Sequence, residues 1–98
     1  MNDFVDIDLD FSARSTAKCR FLKQNESAEK SCIVYYGFPE QRTQCNGVLT
    51  LSSNATATSD VVSVNLQPPS NQDSIYCYHL IASDGIHTVA VAGMLVGK

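Results

Sequence analysis

Four cysteines are the residues of this chain with the clearest capacity for chemistry. They are Cys19, Cys32, Cys45 and Cys77 in a chain of 98 residues. No two of them form a Cys-x-x-Cys pair and only two histidines accompany them, so the spacing does not favour zinc. An even number of cysteines in so short a chain is typical of two disulfides formed in an oxidising compartment. The alternative is a set of four reduced, buried thiols in a cytosolic protein.

Two Asn-x-Ser/Thr sequons could accept N-linked glycans in the secretory pathway. They begin at Asn25 and Asn54, in polar stretches that we predict to be loops. Chance alone gives about one sequon in a chain of this composition. The pair therefore adds only mild support for secretion.

Three aspartates could bind calcium if they met at one point. Asp6, Asp8 and Asp10 alternate with apolar residues, which is the period of a half-buried strand. On a strand they line one side at intervals of about 7 Å, too far apart to surround one ion unaided. We therefore expect a solvated acidic face and no bound metal.

Two histidines and an aspartate raise the question of catalysis. His79, His87 and Asp84 lie close together in the sequence, and serines are plentiful. No Gly-x-Ser-x-Gly turn is present, and a chain of this size offers little room for a closed cleft. The expectation is a protein that is not an enzyme and uses no cofactor.

Charge and hydropathy argue against two further classes of interaction. The net charge is −3 and no basic patch is visible, so we expect no nucleic-acid binding. No apolar run approaches the roughly 18 residues that cross a bilayer, so no membrane span is expected in this chain. Met1 is followed by Asn, Asp and Phe, which is not the pattern of a signal peptide. If the protein is extracellular, residues 1–98 are one domain excised from a longer secreted or membrane-tethered protein.

Strand-like patterns recur along the whole chain. Some stretches alternate apolar with polar residues, and others are continuously β-branched or aromatic. Asp84-Gly85 supplies the positive φ that a tight hairpin requires, and the polar segment 52–60 is predicted to be a loop. About seven short strands with no helical period predict an all-β fold, an antiparallel two-sheet sandwich. The expected strands are 4–11, 19–23, 32–38, 48–51, 61–66, 75–82 and 88–96.

The C-terminal third resembles a known family. Leu66 and Pro68 precede a series that resembles strand F of a fibronectin type III domain, in which a tyrosine hydroxyl bonds back to the preceding connection. The series is Tyr76-x-Tyr78-x-Leu80-x-Ala82-x-Asp84-Gly85. The chain departs from the family by having no Trp, four cysteines and a longer stretch before Tyr76. The resemblance implies a divergent fibronectin-III-like or immunoglobulin-like extracellular domain.

The two families imply different disulfides. An immunoglobulin-like Cys19–Cys77 bridge needs Cys77 to face inward, whereas the fibronectin register turns it outward and Tyr76 inward. A shift of one residue reverses every side chain, so both cannot hold. We favour the fibronectin register because its inward side chains are apolar or aromatic. A local bridge between Cys32 and Cys45 would leave Cys19 to pair with Cys77, and we predict this pairing. Four cysteines allow three connectivities, and the sequence does not choose among them.

Together these patterns predict a non-enzymatic extracellular glycoprotein module that recognises or adheres to a protein partner. Candidate contacts are an exposed Asp84 with Gly85 in the hairpin turn, and Tyr35 in an aromatic cluster, since such residues are enriched at interfaces. The alternative is a stand-alone secreted effector, such as a protease inhibitor or a toxin-like ligand. It would present the loop 39–47, held by Cys45.

Overall fold

The chain forms a two-layer antiparallel β structure, which confirms the predicted sandwich. The computed structural model describes residues 4–10, 15–22, 28–39, 45, 47–68 and 75–96. Within those ranges there is no helix. The strands are β1 (Val5–Asp10), β2 (Thr16–Phe21), β3 (Lys30–Gly37), β4 (Leu51–Ala57), β5 (Val61–Asn65), β6 (Ile75–Ser83) and β7 (Thr88–Val96).

The strands divide into a three-stranded sheet and a four-stranded sheet. The first has the order β1-β2-β5 and the second the order β4-β3-β6-β7. Every neighbouring pair is antiparallel. The fourth strand therefore lies beside the third and not in the sheet of the first two.

The hydrophobic core lies between the sheets, because alternate side chains of each strand point inward. On β6, Tyr76, Leu80 and Ala82 are buried in it, and Tyr78 packs against it. The register favoured from the sequence is therefore confirmed. The core is made of Val5, Ala17, Cys19, Phe21, Cys32, Val34, Tyr36, Val62, Val64, Leu66, Tyr76, Leu80 and Ala82.

The connection after β5 is fixed by a tyrosine from another strand. The backbone amide of Gln67 donates a hydrogen bond of 2.6 Å to the hydroxyl of Tyr36 on β3. Tyr76 lies close by, with its ring edge-to-face against Phe38 at a centroid distance of 5.1 Å. Burial raises the pKa of the Tyr76 hydroxyl.

The prediction of a loop over 52–60 is wrong for residues 52–57, which belong to strand β4, and holds for 58–60, which connect β4 to β5. The inward side chains of β4, Leu51, Ser53, Ala55 and Ala57, are mostly small, and the outward ones are polar. A strand of this composition shows little contrast in hydropathy between its two faces, so the alternation is invisible in the sequence. It forms because its backbone pairs with β3 over seven residues, from Lys30↔Ala57 to Tyr36↔Leu51.

The two disulfides are Cys19–Cys32 and Cys45–Cys77. The predicted pairing of Cys19 with Cys77 and of Cys32 with Cys45 is wrong. Cys32 points into the core from β3 and meets Cys19 from the other sheet, with a Cα–Cα distance of 6.4 Å. Cys77 points away from the core, as the favoured register requires, so it cannot reach Cys19. It bonds Cys45 of the β3–β4 connection instead, with a Cα–Cα distance of 5.7 Å.

Lys30, within a segment predicted to be a loop, begins β3 and is fully buried. Its ammonium donates to the carbonyl oxygens of Thr58 at 2.9 Å and Ala28 at 3.2 Å. A buried ammonium needs such acceptors to offset the loss of water. The side chain thus links the segment before β3 to the one after β4.

Candidate recognition surface

The hairpin turn between β6 and β7 is shaped by Asp84. Its carboxylate oxygen Oδ1 accepts hydrogen bonds from the amides of His87 at 2.8 Å and Ile86 at 2.9 Å. Gly85 has a φ of +92°, as the turn prediction requires. The prediction of an exposed Asp84 is wrong, since only 4% of the residue is accessible. In a turn, the carboxylate of a short acidic side chain accepts hydrogen bonds from the backbone amides that follow it, so Asp84 stabilises the turn.

The same hydrogen bonds make the turn sensitive to acid. The amides of His87 and then Ile86 lower the pKa of Asp84 below its ordinary 3.8. A carboxyl whose pKa is lower in the folded state stabilises the fold above its unfolded pKa, and loses that contribution as pH falls through the folded pKa.

We expect Asp84→Ala to lower the urea midpoint of unfolding at pH 7, and to lower it progressively less as the pH falls through the lowered pKa of the Asp84 carboxyl, because protonation removes the same stabilisation from the parent chain. Asp8→Ala, which removes an exposed aspartate on the other sheet, is the control. An equal effect of the two substitutions at pH 7 would contradict the turn-forming role.

The outer surface of the four-stranded sheet carries no Asp, Glu, Lys or Arg at any of its described positions. We call this surface the neutral face. Its side chains follow from the alternation of inward and outward residues along β3, β4, β6 and β7. They are Ser31, Ile33, Tyr35, Ser52, Asn54, Thr56, Ile75, Cys77, His79, Ile81, Ser83, Thr88, Ala90, Ala92 and Met94.

The outer surface of the three-stranded sheet is charged instead. Asp6 lies opposite Arg20, with a distance of 3.7 Å between carboxylate and guanidinium, and Asp8 lies opposite Lys18. Of the three aspartates predicted to be solvated, Asp6 and Asp8 are exposed and Asp10 is half-buried. In the part of the chain that the structure describes, no three His, Cys, Asp or Glu side chains come together as a metal site.

The residues predicted to contact a partner do not lie together. Tyr35 stands on the neutral face opposite His79 of β6, and 40% of it is exposed. His79 is five residues from Asp84 along β6 and its continuation, which separates Tyr35 from the turn by about 17 Å. His79 is also remote from His87, which lies at the turn with Nδ1 3.7 Å from Asp84 Oδ2. The two histidines therefore do not meet at one site.

The Cys45–Cys77 bridge holds part of the β3–β4 connection against one end of the neutral face. Gly37, the partner of Cys77 across the β3–β6 ladder, lies under this connection. A Cβ at Gly37 would overlap the carbonyl oxygen of Val48. An open depression remains beside the connection, lined by Cys45, Leu49, Tyr78, His79, Ala92, Gly93 and Met94.

One of the two predicted glycosylation sites can be placed. Asn25 lies outside the described residues. Asn54 is on β4, not in a loop, and its exposed side chain belongs to the neutral face. Its direct partner across the ladder is Ile33.

Several apolar residues of the neutral face were not singled out from the sequence. Ile33 and Ile81 are half-buried there, and Ala90 and Ala92 are exposed. The sequence did carry a sign of them, because β3, β6 and β7 have apolar residues at both the inward and the outward positions. Such a run is typical of a strand covered on both faces. Among the described residues of the β3–β4 connection, Cys45 and Val48 contact this side at Cys77 and Gly37.

A scan against protein-family models found no matching family, and searches of the curated proteins and of the solved structures found no match.

No helix long and apolar enough to cross a membrane occurs in the described residues.

Proposed function

We propose that this chain is a non-enzymatic extracellular module that recognises a protein partner through the β6–β7 side of the neutral face. The observation that carries the proposal is the absence of charge from the described part of this face, beside a charged opposite face. Charged residues are depleted from the cores of protein interfaces, whereas an ordinary solvated surface carries them throughout.

The outer edge of the sheet supports the choice of side. β7 is nine residues long, and its sequence, Thr-Val-Ala-Val-Ala-Gly-Met-Leu-Val, contains neither charge nor proline. Among the described strands it pairs only with β6. Edge strands that must stay unpaired are usually guarded by such residues, as β1 is by its aspartates. An unguarded edge next to exposed Ala90 and Ala92 is suited to a partner.

Two features support an oxidising location and the fibronectin-III-like assignment. One disulfide joins the two sheets and the other joins the β3–β4 connection to β6, and such cross-links are typical of small secreted domains. The placement of β4 beside β3 differs from the constant-type immunoglobulin arrangement, in which the fourth strand joins the sheet of the first, second and fifth. The family assignment therefore favours the fibronectin type over that arrangement.

The test is a binding screen with matched face variants. The chain, secreted from eukaryotic cells and made multivalent, is applied to a panel of extracellular protein domains. We expect Ala92→Arg to weaken any specific binding by at least about tenfold, because an unpaired charge buried in an interface costs several kcal/mol. Ser63→Arg, an exposed change on the charged face, is the control and should leave binding intact. Binding that survives Ala92→Arg would refute this surface.

The extracellular setting has its own test. Thiol alkylation of the secreted chain under denaturing, non-reducing conditions should label none of its four cysteines until a reductant is added. Four reactive thiols under denaturing, non-reducing conditions would refute an oxidising location.

A second candidate is the secreted effector with a presented loop. The observation in its favour is that Cys45 anchors one end of the β3–β4 connection to β6. A fixed loop binds with a smaller entropic cost than a free one. Inhibition of a protease by the chain, abolished in the Cys45→Ala/Cys77→Ala variant and kept in Ala92→Arg, would favour this candidate over the first.

A further inference from the structure

We propose that Asn54 is N-glycosylated and that its glycan lies across the β3–β4 side of the neutral face, with Tyr35 as a stacking contact. The inference rests on the proposed extracellular function. It assigns a covalent occupant to one side of the face and leaves the β6–β7 side to the protein partner.

The position of Asn54 carries the first step. It begins the sequon Asn54-Ala55-Thr56 on the edge strand β4, and its side chain is exposed on the outer surface. Thr56, the hydroxyl residue of the sequon, points to the same surface and is also exposed. The amide nitrogen that would carry the first sugar is thus accessible in the folded chain.

The ladder registers carry the second step. Asn54 lies directly opposite Ile33, which lies opposite Ile81, which lies opposite Ala90. Directly opposite side chains have their Cβ atoms about 5 Å apart, and diagonal ones about 7 Å. Tyr35 is the diagonal neighbour of Asn54, because its own partner is Ser52. A sugar attached to Asn54 therefore starts beside both Ile33 and Tyr35.

The chemistry of these neighbours suits a carbohydrate. A pyranose ring is uncharged, with one apolar face and a rim of hydroxyl groups. The exposed ring of Tyr35 offers an aromatic face to the apolar side of a sugar. The exposed Ser52 and Thr56 offer hydroxyl groups to its rim. No charged group of the described face would have to be desolvated beneath the glycan.

The glycan also accounts for an otherwise unguarded edge. Like β7, strand β4 contains neither charge nor proline in its sequence Leu-Ser-Ser-Asn-Ala-Thr-Ala. A bulky solvated group at Asn54 would obstruct pairing along this edge, which is the role that charges serve elsewhere. Recognition by strand addition would then be confined to β7.

The experiment compares the secreted chain with its Thr56→Ala variant, which keeps Asn54 but destroys the sequon. Peptide mass spectrometry measures glycan occupancy at Asn54. Nitration with tetranitromethane, resolved by peptide sequencing, measures the accessibility of Tyr35. We expect occupancy in the parent chain, and nitration of Tyr35 severalfold slower in the glycosylated chain than in Thr56→Ala.

A relocated glycan is the matched control. Gln67→Thr, made in the Thr56→Ala background, creates a new sequon that begins at Asn65, an exposed position of β5 on the charged face. This chain should nitrate at Tyr35 as fast as Thr56→Ala. Protection of Tyr35 by the Asn65 glycan would overturn the proposal, because it would show bulk shielding without contact.

The outcomes separate the two proposals. A secreted, disulfide-bonded chain that is bare at Asn54, or glycosylated there with Tyr35 still rapidly nitrated, overturns the glycan proposal and leaves the recognition module standing. A glycosylated chain with protected Tyr35 that loses no partner binding in Ala92→Arg supports the glycan proposal and refutes the β6–β7 contact surface.

Discussion

Replacing Cys19 and Cys32 together by alanine is expected to lower the free energy of unfolding by about 4 kcal/mol. Roughly 3 kcal/mol comes from freeing a loop of this length in the unfolded chain, and the rest from the void left by two buried sulfur atoms. Both residues are fully buried in the core and belong to different sheets. Small domains have only about 5–15 kcal/mol in total, so the variant should be close to unfolding at physiological temperature.

Urea unfolding at pH 7 measures this loss. The control is Cys45→Ala/Cys77→Ala, which removes a bridge outside the core cluster, with Cys77 buried under the β3–β4 connection. Its loss should come mainly from chain entropy, at about 4 kcal/mol. The two variants then differ in kind. The first should expose core surface and bind a hydrophobic dye in the absence of urea, whereas the second should not. Proteolytic digestion without reductant releases disulfide-linked peptides. A peptide pair joined through Cys19 and Cys77 would contradict the structural basis of the prediction.

Gly37→Ala is expected to destabilise the fold by about 3 kcal/mol or more, because overpacking against backbone cannot be relieved by a side-chain rotation. The added Cβ would overlap the Val48 carbonyl oxygen and lie 2.7 Å from its carbon. The connection cannot simply lift away, since the Cys45–Cys77 bridge ties it to β6. Thermal and urea unfolding of the purified variant measure the effect.

Two comparisons make this prediction specific. Gly47→Ala meets no atom within 4 Å but has a φ of +75°, so it should cost only about 1 kcal/mol from backbone strain. In the Cys45→Ala/Cys77→Ala background, Gly37→Ala should cost less than in the parent chain, because the connection is free to move. An unchanged cost in that background would show that the bridge does not hold the connection down.

Much of the fold was accessible from hydropathy alone. β1, β5 and β7 alternate or run apolar over the segments that form them, and Gly85 supplied the positive φ of the hairpin. β4 was not accessible, because Ser, Asn, Thr and Ala form a strand only when a neighbour supplies the backbone ladder. Lys30 was equally hidden, since a lysine that ends buried looks in the sequence like any solvated one.

The disulfide error has a specific origin. The sequence showed a conflict between an inward Cys77 and an apolar inward face on β6, and the apolar face was the better guide. Applying the same alternation to β3 turns Cys32 inward with Val34 and Tyr36. Two inward cysteines and one outward cysteine then leave Cys19–Cys32 as the bridge across the core. Treating Cys32 as a local partner of Cys45 ignored which face of its strand it occupied.

The candidate surface was less predictable than the fold. Tyr35 was predicted to be a contact residue, and it lies on the outer surface with 40% of it exposed. Asp84 was predicted to be exposed because its charge was considered and the amides beside it were not. An outer surface becomes visible only when residues from four strands are placed side by side, and that placement depends on registers the sequence does not state.

The unequal access of the two sulfur bridges sets an order of events under mild reductant. Cys45 is partly exposed, whereas Cys77 and both cysteines of the other bridge, Cys19 and Cys32, are wholly enclosed. A small thiol should therefore reduce the Cys45–Cys77 bridge first. In the product, the Cys19–Cys32 bridge still joins the two sheets, and the β3–β4 connection over Gly37 is no longer tied to β6. A reducing environment would thus expose one end of the neutral face while the domain stays folded.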